Sequence, residues 1–362
     1  MIRLASIIQT FETTFLAQYQ ALLLPSHRQA LVALKTCRSR QSPKMQMACD
    51  GCDHQVYVPH SCGHRHCPHC QAYESQQWLD RQLKKQVPAS YFLLTFTLPA
   101  EFRLLAWHHQ RIMYALMTQC CWETVRTFSQ NDKQLQGTPG ATTVLHTHSR
   151  RLDFHPHVHM VMPAAALDAL NRLWRTKKSK SKKAYLFNHQ ALATVFRAKL
   201  LAAMTKAGLT LPAKHPAKWV VDCKSVGAGD KALIYLGRYL YRGVIQEKDI
   251  VACQDGNVTF RYTNSKTKQT EFKTVSGAKF LWLVLQHVLP KGFRRTRNYG
   301  FLHPNSKRLI QLLHYVLKLK PHRKLAEIKK RPSLICPCCG AAMTIIKTRI
   351  PPFFSRRGLA IT

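Results

Sequence analysis

The clearest alternation of apolar and polar residues in the chain lies between Asp153 and Met162. Successive side chains of a β-strand point to opposite faces, so this segment would have two unlike faces. The apolar face would carry Phe154, Val158, Met160 and Met162, and the polar face His155, His157 and His159. A surface strand with incidental histidines is the alternative. Since histidines two residues apart can converge on one cation, three in five residues favour a metal-binding strand.

A second pattern follows about eighty residues later and has the period of a helix. Leu233, Leu236 and Leu240 form an apolar stripe, and the spacing predicts a helix from Lys231 to Arg242. Asp230 can cap its beginning and Gly243 can end it. One face would carry Tyr235 and Tyr239 side by side, one turn apart, beside Lys231, Arg238 and Arg242.

Paired phenols surrounded by cations suit attack on a phosphodiester and stabilisation of the resulting phosphotyrosine. The alternative is a pair of amphipathic tyrosines at the boundary of the core. Nucleophilic tyrosines would need a site nearby that holds a phosphate, whereas tyrosines that only pack at the boundary of the core would not.

The remaining pattern predicts an α+β protein with a largely antiparallel sheet covered by helices. Predicted strands include 91–98, 142–148 and 219–224, with a β-hairpin at 250–275. Predicted helices include two within residues 1–36 and others at 101–129, 189–207, 277–289 and 305–319. We expect a helical, zinc-binding N-terminal domain (1–88), a catalytic domain (89–300) and a basic C-terminal tail (301–362).

Charge is the outlying feature of the composition. The chain has 55 Lys and Arg against 17 Asp and Glu, a formal net charge of +38. A balance this basic indicates a polyanionic partner, nucleic acid before membrane, since no apolar run reaches transmembrane length. We see no signal peptide and expect a cytoplasmic protein that acts on the nucleoid, with no membrane partner. The sequence does not indicate an oligomeric state.

Cysteines indicate structural zinc. Cys49-x2-Cys52 and Cys67-x2-Cys70 have the spacing of one closed four-thiolate site. Residues Cys37, Cys62, His64 and His66 crowd the same region and could replace a ligand or form a second site. A lone knuckle, Cys336-x2-Cys339, could be half of a site that is completed elsewhere in the fold.

A cationic and aromatic run lies at 291–300. Its cations are Lys291, Arg294, Arg295 and Arg297. Cations that pair with phosphates, interleaved with aromatic rings that stack on bases, are typical of single-strand binding. We therefore expect this run to bind DNA.

The order of these motifs resembles the HUH endonuclease superfamily and is most similar to the two-tyrosine transposases of the insertion-sequence-ninety-one family, relatives of the Helitrons. The resemblance rests on passages from about residue 30 to 340. They are Ser61-Cys62 with His66-Cys67-Pro68-His69-Cys70, Thr95 to Pro99, Val144 to Thr147, His155 to His159, Tyr235 to Arg242 and Val288 to Phe293.

The resemblance implies an HUH, ferredoxin-like catalytic domain and a metal-dependent tyrosine DNA-strand transferase. It would nick and rejoin single-stranded DNA at hairpin-bearing element ends, and cut target DNA, through 5′-phosphotyrosine intermediates formed by Tyr235 and Tyr239. His157, His159 and, at the Leu-His-Thr passage, His146 would hold Mg²⁺ or Mn²⁺; His148 is the alternative third ligand. The other functions to consider are a rolling-circle replication initiator or relaxase-like nickase, and a non-catalytic zinc-finger DNA-binding protein.

Overall fold

A computed structural model describes residues 2–70, 72–168, 171, 173–177, 186–241, 243–264, 267–319 and 334–351. Its helices are α1 (Leu4–Tyr19), α2 (Pro25–Lys35), α3 (Ala72–Leu83), α4 (Arg103–His108), α5 (Gln110–Asn131), α6 (His189–Lys206), α7 (Asp230–Tyr241), α8 (Gly277–Leu285) and α9 (Lys307–Val316). Its strands are β1 (Lys44–Cys49), β2 (Gln55–Pro59), β3 (Tyr91–Thr97), β4 (Thr138–His148), β5 (Phe154–Pro163), β6 (Ala165–Asp168), β7 (Leu173–Thr176), β8 (Val221–Ser225), β9 (Ile250–Gln254), β10 (Asn257–Thr263), β11 (Thr270–Ser276), β12 (Thr296–Gly300) and β13 (Met343–Ile350).

A seven-stranded sheet forms the centre of the molecule, in the order β7-β6-β4-β5-β3-β8, with β12 paired to β4. Its pairings are antiparallel. The consecutive strands β4 and β5 pair as a hairpin, and its register sets His146 directly opposite His157. The predicted α+β class with a largely antiparallel sheet is confirmed.

Helices cover both faces of this sheet. On one face, α4, α5 and α6 pack on the apolar side chains of β3, β4 and β5, including Phe96, Leu145 and Val158. On the other face, α3, α7 and α9 pack on Val144 and Val161. Strand parity places the histidines of β4 and β5 on this second face, beneath the tyrosine helix α7.

A second core lies beside the sheet. It is formed by α1, α2 and α8 with the three-stranded sheet β11-β10-β9. A two-stranded hairpin was predicted at 250–275, but the segment forms three strands. The additional turn is made by Asp255 and Gly256, which have positive φ (50° and 74°). An Asp-Gly pair of this kind is a favoured connection between two antiparallel strands.

A third, small sheet has the order β13-β1-β2. It pairs residues 44–49 with residues 343–350, so the C-terminal region holds ordered structure in addition to the predicted basic tail. The predicted division into 1–88, 89–300 and 301–362 stays a prediction about separate folding units. The packing crosses both boundaries, since α1 shares a core with α8 and α3 shares a core with α7 and α9.

Among the described residues, no helix combines the length and apolar character that crossing a membrane requires.

Candidate active site and cysteine clusters

Three histidines converge on the face of the sheet that α7 covers. His146, His157 and His159 place one ring nitrogen each within 4.8 Å of the others, and we call this group the histidine centre. Two adjacent strands supply it: the rings of His146 and His159 are 4.5 Å apart, and those of His157 and His159 4.9 Å. His148 stacks on the outer side of His146 without joining the group.

Neighbouring residues orient the rings. Nδ1 of His157 lies 2.7 Å from the carbonyl oxygen of His155. A carbonyl only accepts, so Nδ1 carries the proton and Nε2 the lone pair. Nδ1 of His159 lies 3.0 Å from the Thr95 hydroxyl on β3. His155 is not part of the group, and its Nδ1 accepts a hydrogen bond from Arg103.

Burial keeps these imidazoles neutral. It lowers the pKa of His146 and of His157 well below the usual value, and it lowers the pKa of His159 to about 4. Charge on the neighbouring histidines and on Arg295 adds to the effect at His146. Near neutral pH each ring therefore offers a lone pair, and a donor set of three neutral imidazoles fits a divalent cation.

Tyr235 projects from α7 toward this centre. Its ring lies 6.3 Å from the ring of His159, nearly perpendicular to it, and the side chain is 37% exposed. Leu233, Leu236 and Leu240 of the same helix are buried, as the apolar stripe predicts. Tyr239 follows one turn later in α7, but its side chain and that of Arg238 lie outside the described residues, as does all of Arg242.

Close packing against α3 fixes the position of α7. A Cβ on Gly237 would come within 3.3 Å of the Trp78 ring, so the two helices meet where α7 has no side chain. The Ser75 hydroxyl donates a hydrogen bond to the Gly237 carbonyl at 2.8 Å. The tyrosine helix is thus held by a residue pair from the predicted N-terminal domain.

Arg295 lies between the tyrosine helix and the histidines. Its Nη1 donates to the carbonyl oxygen of Leu240 at 3.3 Å, in the last turn of α7. Carbonyls in that turn lack helical partners, and a cation there complements the helix dipole. The side chain is half-buried, so the structure gives Arg295 an internal contact that the prediction of a DNA-binding residue did not include.

Two concave surfaces meet at residues 292–296. A pocket of about 570 Å³, the junction pocket, is lined by the loop 63–66, Leu240 and residues 288–296. A groove of about 1170 Å³, the edge groove, runs along β12 between α3, α5 and α9. The cations lining the edge groove are Arg81, Lys84, Lys85, Arg111, Arg294, Arg297 and Lys307.

The aromatic residues of the 291–300 run face protein. Phe293 is 4% exposed and packs on Tyr114. Tyr299 stacks on Trp122, with parallel rings 5.1 Å apart. Both rings therefore have aromatic partners within the protein, although both also line the edge groove. Stacking of bases on these rings stays a prediction. The run contributes cations to the groove.

Eight cysteines form two separate clusters. The inner cluster contains Cys37, Cys62, Cys67 and Cys70, and the outer cluster contains Cys49, Cys52, Cys336 and Cys339. The predicted set of Cys49, Cys52, Cys67 and Cys70 is therefore wrong: its two knuckles belong to different clusters. Strand pairing explains the error, because β1 pairs with β13 and brings the C-terminal knuckle to Cys49 and Cys52.

Comparison with known proteins adds the family. The family model described as "Putative transposase" matches residues 140–309, which contain the histidine centre and the tyrosine helix. The model described as "Transposase zinc-binding domain", of IS91 transposases, matches residues 7–98. The "Putative transposase y4qJ" of Sinorhizobium fredii (strain NBRC 101917 / NGR234) is 30% identical over 321 residues, covering 82% of this chain and 79% of the relative. The chain belongs to the IS91 family of transposases.

Two further similarities accompany this assignment. The "Transposase for insertion sequence element IS801" of Pseudomonas savastanoi pv. phaseolicola is 28% identical over 269 residues, covering 69% of this transposase and 63% of the relative. Among solved structures, the conjugative relaxase TrwC in complex with oriT DNA matches with a TM-score of 0.27 and 14% identity, covering 63% of this chain and 72% of that chain. A structural likeness of that size does not bear on function.

In the IS91 transposase, the inner cluster adjoins the tyrosine helix. A Cβ on Gly243, just beyond α7, would meet the backbone oxygen of His66 at 2.7 Å. Nε2 of His69 lies 2.7 Å from a Glu247 carboxylate oxygen, and the Arg65 guanidinium donates to the Phe293 carbonyl. The loop between the inner cysteines therefore contacts the segments on both sides of the junction pocket.

Sequence reasoning missed several contributors to these sites. Thr95 lies within a predicted strand, but only the pairing of β3 with β5 sets it opposite His159. The walls of the edge groove come from three helices that are distant in sequence. The repeated Cys-x2-Cys spacing was the one available signal of the outer cluster, and it does not say which knuckles pair.

Proposed function

We propose that this transposase nicks single-stranded DNA by attack of the Tyr235 hydroxyl on a phosphodiester at the histidine centre. The observation that carries the proposal is the placement of an accessible phenol beside three convergent, neutral imidazoles, on the face of the sheet that α7 covers. The phenol loses its proton as its oxygen bonds to phosphorus. The bond from phosphorus to the 3′ oxygen breaks, leaving a 5′-phosphotyrosine and a free 3′-OH.

The three neutral imidazoles can hold a divalent cation, and the family resemblance favours Mg²⁺ or Mn²⁺ over the metals that imidazole ligands alone would select. A divalent ion held by His146, His157 and His159 would polarise the scissile phosphate. The chain's own residues position that site: Thr95 and the His155 carbonyl hold two of the rings, and α3 holds the helix that carries the nucleophile.

The second tyrosine extends the proposal to strand transfer. Tyr239 occurs one helical turn after Tyr235, and two nucleophiles on one helix would allow one strand to be cut and a second strand, such as the target, to be cut or joined. A nickase with one tyrosine is the alternative, and it requires that only one of the two be essential.

Replacing each tyrosine by Phe tests the chemistry, because a phenyl ring cannot act as a nucleophile. The protein is incubated with Mg²⁺ or Mn²⁺ and with single-stranded oligonucleotides tiling the DNA that flanks its coding sequence. Covalent adducts are then resolved on denaturing gels. We expect Tyr235→Phe to abolish the adduct formed by the first cut and Tyr239→Phe to block complete strand transfer.

Tyr315→Phe is the matched control, since Tyr315 is 83% exposed on α9. It should leave adduct formation unchanged. Normal DNA binding without an adduct on any oligonucleotide would favour a non-catalytic DNA-binding protein. Normal strand transfer by both tyrosine variants would refute the assignment of nucleophiles.

We further propose that the DNA backbone leaves the active site through the junction pocket and follows the edge groove. The two concavities share residues 292–294 and Thr296, and none of the described residues that line the edge groove is acidic. Seven cations on three walls would pair with successive phosphates. A tyrosine attacking beside the sheet needs a flexible, unpaired strand, so single-stranded DNA with hairpin-bearing ends is the proposed substrate.

Salt dependence tests this path. On single strands the slope of log K against log salt is about −0.7 for each phosphate contact. Neutralising Arg81 on α3, Arg294 before β12 and Lys307 on α9, three exposed cations of the groove, should flatten the slope by about two units. Neutralising Lys206, Lys214 and Lys218, which are exposed at and after α6, makes the same change of charge elsewhere. Equal slopes for the two triple variants would show that the strand runs elsewhere.

A further inference from the structure

We infer that the outer cluster binds its own zinc ion and that this ion joins residues 49–52 to residues 336–339. The protein would then carry two structural zinc ions. The inference is independent of the nicking chemistry. It also goes beyond the zinc-binding domain of the family, whose match at residues 7–98 contains only two of the four cysteines.

The sulfur positions have the dimensions of a metal site. Cys49 Sγ lies 3.3 Å from Cys339 Sγ, and Cys52 Sγ lies 3.7 Å from Cys336 Sγ. All four sulfurs lie within 4.8 Å of one another, and none is in a disulfide. A tetrahedron with zinc–sulfur bonds of about 2.3 Å has edges of about 3.8 Å. Four thiols at these separations therefore surround a space of the right size for Zn²⁺.

The backbone around the sulfurs forms two knuckles that face each other. The N–H of Gly51 donates to Cys49 Sγ, and the N–H of Cys338 donates to Cys336 Sγ, at 3.3 and 3.4 Å. A Cβ on Gly51 would lie 3.0 Å from the Ala341 Cβ and 3.4 Å from Cys339 Sγ. The knuckles are thus packed so closely that the position between them accepts only glycine without adjustment.

The module that holds these knuckles has very little apolar core. Its buried apolar residues are Met47, Cys336 and Met343, with Val56 and Val58 partly buried beside them. Pairing of β1 with β13 and a hydrogen bond from Thr344 to Asp50 add to this core. A domain this small ordinarily needs a metal or disulfides to fold, and a closed four-thiolate site supplies that stability.

The position of the ligands gives the ion a particular role. Cys52 and Cys336 are separated by 284 residues. The ion would fix the segment 334–351, which follows α9, to the sheet of β1 and β2. Since a site with four thiolates has no open coordination position, the role is structural.

The test is the zinc content of the full-length protein in the His157→Ala/His159→Ala background, so that the histidine centre does not contribute. We expect two zinc ions per chain by mass spectrometry of the metal, and one after Cys336→Ser/Cys339→Ser. Cys338→Ser is the matched control, because Cys338 is exposed in the same knuckle but lies outside the cluster. It should retain two.

A second measurement does not depend on the fold of a variant. Cobalt substituted into the protein with intact cysteines should give thiolate-to-metal charge-transfer absorption for eight sulfur ligands per chain. One zinc ion per chain, absorption for only four thiolates, or two zinc ions retained by Cys336→Ser/Cys339→Ser would overturn the inference.

Discussion

The inner and outer clusters each consist of four cysteines, but they differ in how far apart the cysteines are in sequence and in how deeply they are buried. In the inner cluster, Cys37 and Cys70 are 33 residues apart, and Cys67 and Cys70 are buried in the core formed by α1, α2 and α8. In the outer cluster the ligands span nearly the whole chain, and Cys52 and Cys339 are exposed on a sheet with little core of its own. One cluster is local and buried, and the other is long-range and peripheral.

Since both clusters offer the same ligand type, the position of each zinc site in the fold, and not its ligand chemistry, determines which part of the molecule it stabilises. The loop of the inner cluster contacts the end of the tyrosine helix at Gly243 and the segment after it at Glu247. The hydrogen bonds described for the outer cluster stay within its own small sheet and the turns beside it, at residues 49–54 and 336–341. We therefore expect the inner cluster to affect nicking and the outer cluster to affect the C-terminal segment alone.

Loss of the inner cluster should have the largest effect. The apparent binding energy of structural zinc is about 10–16 kcal/mol, comparable to the whole stability of a domain, about 5–15 kcal/mol. Cys67→Ser should therefore remove one zinc ion, unfold the loop 61–70 and abolish adduct formation. Cys336→Ser should remove one zinc ion and leave adduct formation within about twofold of the wild type.

Cys253→Ser serves as control for cysteine replacement outside both clusters and should change neither zinc content nor nicking. The comparison fails if Cys67→Ser loses its zinc and still forms the adduct at the normal rate, since the inner cluster would then have no connection to the active site.

A smaller effect is expected at the contact between the inner loop and α7. Gly243→Ala places a Cβ against the His66 carbonyl, and crowding of this kind costs about 1–3 kcal/mol. If it displaces the helix, adduct formation should slow by about tenfold for each 1.4 kcal/mol that appears in the barrier. Zinc content should stay at the wild-type value. A lower melting temperature with an unchanged nicking rate would mean that the contact supports the fold only.

The smallest effect is expected at Arg295, which lies between the tyrosine helix and the histidine centre. Arg295→Lys keeps the charge but loses the planar guanidinium that reaches the Leu240 carbonyl. The lost hydrogen bond contributes about 0.5–1.5 kcal/mol, so adduct formation should slow by roughly two- to tenfold if this loss appears in the barrier. Arg294→Lys, at the exposed neighbouring position, should leave the rate unchanged. Equal rates of adduct formation for the two variants would show that the hydrogen bond from Arg295 to Leu240 does not affect nicking.

The local parts of the site were readable from the sequence. Alternation along β5 set His157 and His159 on one face, and the leucine stripe set Tyr235 on the exposed side of α7. Both inferences need only the geometry of a single element. Strand parity placed His146 and His148 on the same face and did not choose between them. The family resemblance favoured His146, and the register of β4 on β5 sets that residue opposite His157.

The parts that failed depend on pairing between distant segments. Spacing within a knuckle is the same for every Cys-x2-Cys pair, so it does not reveal that Cys49 meets Cys339. The 291–300 run has a composition typical of single-strand binding, and that composition does not reveal that β12 pairs with β4 or that Tyr299 stacks on Trp122. Long-range registers of this kind are set by the whole fold.

The span of the outer cluster has a consequence during synthesis. At about 5–20 residues per second, a ribosome would make Cys336 roughly 15 to 60 seconds after Cys52. The inner cluster, spanning 33 residues, would be complete within about 2 to 7 seconds. A nascent chain can therefore bind its first zinc ion early, whereas the thiols of Cys49 and Cys52 have no partner ligands until residues 336–339 have been synthesised. Capture of the second ion marks a chain that has been translated past Cys339.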